Sequence, residues 1–235
     1  MEINRRLKIL FNYLRNRAYI SPKSEQDIVK KFHELYYEMH FRTWANTRWL
    51  GVSIEKCPLD CWIYQEIIFN TKPDVIVECG TFDGGSALFL ASLFDIIGNG
   101  KVITVDIQKK RFKPHPRVTY LTGSSTSKEI ISKIKNLIKK GDKVMIILDS
   151  DHTKTHVLEE LKAYNNLVTK GCYLIVEDTN VNGNPIQKDY GEGPMEAIKE
   201  FMKINDSFII DKSKEKFYMT FNPNGYLKKI KDVKK

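Results

Sequence analysis

No stretch of this chain approaches the roughly 18 uninterrupted apolar residues that a membrane-spanning helix needs. The opening segment, MEINRRLKILFNYLRNR, scatters arginines and a lysine among its apolar residues, which a secretory leader does not do. A cytoplasmic location is the default expectation. Cysteine is scarce: Cys57, Cys61, Cys79 and Cys172 are all there is. Cys57 and Cys61 lack the partners for a four-ligand zinc site, and Cys79 and Cys172 sit inside apolar runs, so reduced thiols are expected. No G-x-S-x-G is present, which removes the nucleophile elbow of a serine hydrolase. There is no 20–50-residue repeat, and low complexity is confined to the lysine-rich tail.

What remains is a chain of 235 residues, 42% hydrophobic and 29% charged, enough for one large domain with a real core. Its formal charge of +9 is uneven. Residues 1–31 carry eight Lys/Arg against three acids, and the tail from 212 carries eight Lys against two acids. Such ends suit a solvated face, an anionic substrate or peripheral contact with anionic lipid. No recognition motif accompanies the charge, so nucleic acid is not an expected partner.

Hydrophobic spacing predicts a helix over residues 3–17 and another over about 24–40, with Ser24 as its cap and Asp27 closing a capping box. Residues 1–41 thus read as a helical appendage to a main domain at 42–235. A short helix over 62–70 leads into Pro73. From residue 74 the pattern changes. DVIVECG, KVITVDI, RVTYLTG, KVMIILDSD and CYLIVEDT are Val- and Ile-rich runs, separated for the most part by helical segments at 84–96, 126–140 and 154–169. This alternation predicts an α/β fold: a doubly wound, Rossmann-like, mostly parallel sheet. SFIID and KFYMTFN, after a helix beginning at GPMEAIKEF, are expected to form an antiparallel hairpin at the edge.

Two groups of residues carry chemistry. VIVECGTFDGGSALFLA reads as strand, glycine turn, helix, and the turn does not have the G-x-G-x-x-G spacing. Glu78 stands just before it, where a pyrophosphate would be repelled and a cationic ligand attracted. Asp106 ends the next strand, where an acid suits ribose hydroxyls. Together they point to S-adenosylmethionine rather than NAD. The expected cofactor residues are Glu78, Gly80, Thr81, Asp83, Gly84, Gly85 and Ser86 around the turn, Asp106 and Ile107 after the second strand, Gly123, Ser124 and Ser125 after the third, and Asp149.

The second group lies at the ends of later strands. ILDSDHTKTH brings Asp149, Asp151 and His152 to the end of one strand, and the next long strand ends at Glu177 and Asp178. Parallel strands put their C-termini on one edge, so these acids converge. Like charges so close need neutralising, and a hard divalent cation such as Mg²⁺, which takes oxygen ligands, would do it. Alternation along a strand leaves open which of Asp149 and Asp151 is a ligand. His152 is the natural general base, with His156 one helical turn later as its reserve.

PDVIVECGTFDGGSALFLA, ILDSDHTKTHVLEELKAYNNLVTKGCYLIVEDT, GPMEAIKEF and FNPNGYLKK resemble the cephalosporin hydroxylase / rhamnosyl O-methyltransferase family, over roughly residues 42–230. The resemblance implies methyl transfer from S-adenosylmethionine. It also implies Mg²⁺ held by an acid of the DSDH segment with Glu177 and Asp178; spacing favours Asp151, with Asp149 as its rival. Catechol-type O-methyltransferases, similar in architecture, have a metal-binding Asp at the position of Asp149 and a catalytic Lys at that of His152. A sugar hydroxyl, on a surface polysaccharide, a lipid-linked glycan or a related natural product, is the implied acceptor. Tyr64, Gln65, Trp49 and Tyr190 are candidates to touch it, and the polar segment 179–193 is a candidate lid. A homo-oligomer is expected through the N-terminal helices. The competing expectations are a nicotinamide oxidoreductase, against which Glu78 argues, and a membrane-associated scaffold built on the basic N-terminal helix.

Overall fold

The computed structural model describes residues 6–9 and 21–232. Most of the helix expected over 3–17 therefore lies outside the described residues. The cap of helix α1 (Pro22–Glu38) falls three residues earlier than expected: Ser21, not Ser24, is the N-cap, and its Oγ accepts the Ser24 amide at 3.1 Å. Pro22 explains the shift, because proline's fixed φ and missing N–H suit a first helical turn. Two single-turn 3₁₀ segments and a two-residue hairpin, β1 (Arg48–Trp49) with β2 (Val52–Ser53), lead to α2 (Pro58–Thr71), which also opens on proline.

The apolar runs then become strands β3 (Val75–Cys79), β4 (Lys101–Asp106), β5 (Val118–Thr122), β6 (Val144–Leu148) and β7 (Tyr173–Val176). They alternate with α3 (Gly85–Ile97), α4 (Lys128–Leu137) and α5 (Lys154–Tyr164), and are followed by α6 (Pro194–Ile204), β8 (Phe208–Ile210) and β9 (Tyr226–Lys229). One seven-stranded sheet results, in the order β5-β4-β3-β6-β7-β9-β8. β3 to β7 are parallel, and β9 runs antiparallel between β7 and β8. Every residue of β3, β6 and β7 is buried, as it must be where helices cover both faces. The doubly wound sheet with an antiparallel edge agrees with the expectation.

The edge hairpin is real, but its second strand is misplaced in the sequence reading. Residues 226–229 pair with β8, while KFYMTFN forms an irregular run ahead of them. That run is apolar for another reason. Met219 and Phe221 pack with Cys57 in a second small core beneath α1, against Tyr36, Tyr37, Trp44 and Leu59. The buried Asp60 of α2 fixes it by accepting the Phe221 amide at 2.8 Å and the Thr220 hydroxyl at 2.5 Å. Through Phe221 the chain docks α1 onto the sheet: His33 stacks on that ring and Tyr37 meets it edge-on.

After β3 the chain adds β4 and β5 on one side and then crosses to β6 on the other. The reversal opens a crevice beyond the C-terminal ends of β3 and β6, the place where open α/β sheets bind ligands. Gly80 lies in its floor at φ 100°, and a Cβ there would stand 1.7 Å from the Asp149 carbonyl oxygen. Only glycine allows the two strand ends to approach this closely.

Candidate active site

Above the ends of β3, β4 and β6 lies a cavity of about 690 Å³. Its first half is built from backbone. The turn after β3 delivers the Thr81 and Phe82 amides to Asp106 Oδ2, at 3.1 and 2.8 Å, and Oδ1 of the same carboxylate accepts the Gln108 amide at 2.8 Å. Asp106 is thus locked at the end of β4 by three N–H donors and still faces the cavity. Of the expected cofactor residues, Gly80, Thr81, Gly85 and Ser86 line the cavity from the turn. Ile107, Gly123, Ser124 and Ser125 line it beside Asp106, and Asp149 lines its far side.

Three of them stand elsewhere. Asp83 is turned outward in an ion pair with Lys110 at 3.1 Å. Gly84 takes the left-handed conformation before α3 and stands behind the lining. Glu78 is fully buried under the turn. Its Oε2 accepts the Thr104 hydroxyl at 2.7 Å, whereas its Oε1 has no partner at hydrogen-bond distance among the described residues, with Ser86 the nearby hydroxyl. Burial raises its pKa to about 7, against the opposing pull of Lys56.

The second half is built from charge. His152 Nε2 lies 3.3 Å from Asp149 Oδ1, and its Nδ1 lies 3.2 Å from Asp178 Oδ2. One ligand-capable atom from each of Asp149, His152 and Asp178 falls within a 4.8 Å group. Glu177 stands outside that group, does not line the cavity, and is joined to Asp149 through Lys56. Burial and the neighbouring Asp149 push its pKa up to about 8, because two carboxylates this close resist ionising together. Burial works against a charged His152, but Asp178 and Asp149 outweigh it and raise its pKa to about 9.

Asp151, favoured by spacing as a metal ligand, is not brought into this group. Its Oδ1 accepts the Thr153 amide at 2.8 Å and so caps the entry to α5, leaving the side chain exposed. Asp149, one residue past β6, still follows the strand and points into the crevice. His156 faces the cavity too, but its Nε2 sits 3.1 Å from Ser125 Oγ and 3.4 Å from Glu160 Oε1. Those contacts place it on the cofactor side, away from the acid cluster.

Among the aromatic candidates, Tyr64 is core, and its hydroxyl accepts from Asn222 at 2.9 Å. Trp49 packs edge-on against Phe89 and donates to Ser92 Oγ at 3.0 Å. Gln65 is half-buried on α2, and neither it nor the largely exposed Tyr190 lines the cavity. The aromatic wall comes instead from Tyr37 and Trp44, stacked at 5.1 Å. Sequence reasoning missed both, since nothing local distinguishes them from other N-terminal aromatics. It also missed Lys56, whose ammonium lies 2.6 Å from Asp149 Oδ2 and 2.7 Å from Glu177 Oε1.

A Rossmann-like sheet with a glycine turn, an acid ending the second strand and an acid cluster at the switch point defines the class of S-adenosylmethionine-dependent O-methyltransferases. The comparisons agree. Residues 41–230 match the family model described as Rhamnosyl O-methyltransferase/CmcI. The Rhamnosyl O-methyltransferase of Mycobacterium leprae (strain TN) is 35% identical over 94% of this chain and 98% of its own. That of Mycobacterium bovis (strain BCG / Pasteur 1173P2) is 37% identical over 85% of this chain and 84% of its own. In fold, the chain is similar to a CmcI structure with Mg and SAM: TM-score 0.62 and 20% identity over 80% of this chain and 78% of that one. The chain belongs to the rhamnosyl O-methyltransferase/CmcI family.

Proposed function

We propose that this protein methylates a hydroxyl of a sugar, a rhamnosyl unit or a close analogue, using S-adenosylmethionine as donor and Mg²⁺ as the ion in its acid cluster. The observation that carries the reading is the shared cavity: the glycine-turn pocket and the Asp149–His152–Asp178 group open into the same space. The mycobacterial relatives, named rhamnosyl O-methyltransferases, supply the sugar. A surface polysaccharide or a lipid-linked glycan is the proposed carrier of that sugar.

The residues present fit both small molecules. Asp106 offers a fixed carboxylate to ribose hydroxyls, and the buried Glu78, with an oxygen lacking a partner, adds negative potential beneath a positively charged donor. Asp149 and Asp178 give the hard oxygen donors that Mg²⁺ prefers, and Glu177, bridged to Asp149 through Lys56, is the third carboxylate within reach of a small shift. We assign these three as its ligands, with Asp149 in the role that spacing had favoured for Asp151. Bound there, the ion would supply Lewis acidity that lowers the pKa of an acceptor hydroxyl.

The chain's own residues then have distinct tasks. His152 is the base. Its Nδ1–H is oriented by Asp178, and Nε2 receives the hydroxyl proton as the oxygen bonds to the methyl carbon and the carbon–sulfur bond breaks. Gly80 lets donor and acceptor ends of the cavity meet, so positioning contributes much of the rate. Tyr37 and Trp44 offer a stacked aromatic face to the apolar side of a sugar ring. Contact with a second copy of the chain is a further proposal, tested by light scattering. The proposal of membrane contact falls on the N-terminal segment, mostly outside the described residues; among those described, no helix is long and apolar enough to cross a membrane.

The test is calorimetry with S-adenosylmethionine, S-adenosylhomocysteine and NAD, each with and without Mg²⁺, followed by mass-detected methyl transfer to alkyl rhamnosides. Binding of the two adenosyl-sulfur compounds but not NAD, with turnover that requires Mg²⁺, is expected. Full turnover by metal-depleted protein in EDTA would remove the reading.

A further inference from the structure

Lys56 lies between β2 and α2, far along the chain from the acids it meets. Its side chain is only 5% exposed, yet its ammonium bridges two carboxylates that follow different strands, Asp149 after β6 and Glu177 after β7. The sheet does not need this bridge, since β6 and β7 already pair through their backbones. Burying an ammonium is costly unless close partners compensate. What the ammonium does is hold together two carboxylates from different strands, at 2.6 and 2.7 Å, that would otherwise repel each other.

Asp149 and Glu177 are also two of the three carboxylates assigned above to Mg²⁺, so this inference rests on that reading. A divalent ion at those oxygens and an ammonium already bridging them repel each other. Lys56 has another place to turn. Glu78 acts on it electrostatically, and Glu78 Oε1 is buried with no partner at hydrogen-bond distance among the described residues. We propose that Lys56 is a tethered cation that keeps Asp149 and Glu177 assembled while no divalent ion is bound, and releases both to the ion on binding. It is a positioning residue, acting through the carboxylates. Its presence makes ion binding weaker and reversible, because part of the attraction for Mg²⁺ goes into displacing an existing ion pair.

The test reads metal binding, not turnover. Calorimetry with MgCl₂ alone should give Lys56→Met a Kd lower than the wild type by about tenfold or more, since an internal competitor for the same buried oxygens is gone. The variant should also melt lower in EDTA and gain more melting temperature from Mg²⁺ than the wild type does. An unchanged or higher Kd would overturn the proposal. A second measurement does not depend on Lys56→Met and needs only the charge-conserving Lys56→Arg for assignment. In wild-type protein with ¹⁵N-labelled lysine, the Lys56 ammonium resonance, identified by its absence in Lys56→Arg, should move in step with the calorimetric Mg²⁺ titration. A resonance that stays in place while the ion binds would overturn the proposal and leave the Mg²⁺ site intact. No binding of Mg²⁺ to the wild type would remove the ion site, and this inference with it.

Discussion

The two halves of the cavity are held by different forces. On the β3–β4 side, position comes from backbone: a glycine turn, three amides clamped on Asp106, and a helix start. On the β6–β7 side, position comes from charge: two acids at one strand end, one beyond another, a histidine between carboxylates and a buried ammonium. The first arrangement holds its shape by itself, because Asp106 already takes the amides of Thr81, Phe82 and Gln108. The second is poised, because its charges balance only with a cation among them. A donor that is bound and released intact in shape suits the first half, and an ion that must be gained suits the second.

The comparison can be broken most severely on the charged side. Asp149→Asn removes a charge shared by His152, Lys56 and the proposed ion, and is expected to lower kcat by about a thousandfold while donor affinity changes little. Steady-state kinetics with calorimetry on S-adenosylhomocysteine check this split; equal loss of both would erase the distinction between halves. Next in size is Gly80→Ala, which joins a left-handed backbone to a clash with the Asp149 carbonyl. It should destabilise the fold by about 3 kcal/mol in urea unfolding, and damage both halves at once.

Subtler is Asp106→Asn. It keeps an oxygen for the turn amides but loses the charge that attracts ribose hydroxyls. The KM for S-adenosylmethionine should rise about tenfold with kcat within twofold, the reverse of the Asp149 pattern.

A fourth expectation concerns the support beneath the aromatic wall. Buried His33 accepts from Asn180 at 3.0 Å, and burial lowers its pKa to about 4 from the usual 6.5. Between those values the unfolded chain binds a proton that the folded one does not. The contribution of His33 is therefore full above about pH 6.5 and is lost as pH falls toward 4. The total is about 3 kcal/mol at most. Stability measured from pH 7 to 4 should fall less steeply in His33→Gln, and parallel curves would show that His33 titrates normally.

Sequence legibility divides along the same line. The glycine turn, Asp106 and the strand-end acids could be read because local patterns carry them: apolar runs of strand length, each ending on an acid or glycine. The parallel sheet then forces their convergence. Lys56 could not be read, since it acts over separations of 93 and 121 residues from an unremarkable IEKCPLD stretch. Tyr37 and Trp44 were hidden for the same reason, and Trp49 and Tyr64 looked equally suitable until packing consumed them. Asp151 and Asp149 both line the cavity and differ in the capping bond from Thr153 to Asp151, a local competition that alternation along a strand does not reveal. KFYMTFN had the composition of a strand because it serves a second core under α1.

The central claim is that carboxylates after β6 and β7 hold a divalent ion beside the nucleoside pocket. A crystal grown with S-adenosylhomocysteine and Mn²⁺ in place of Mg²⁺, with anomalous scattering collected at the manganese edge, tests it most directly. The account predicts one anomalous peak at about 2.1–2.2 Å from oxygens of Asp149, Glu177 and Asp178, with the adenosine over Asp106. A cavity that binds the nucleoside while the manganese peak lies elsewhere, or on Asp151, would contradict it.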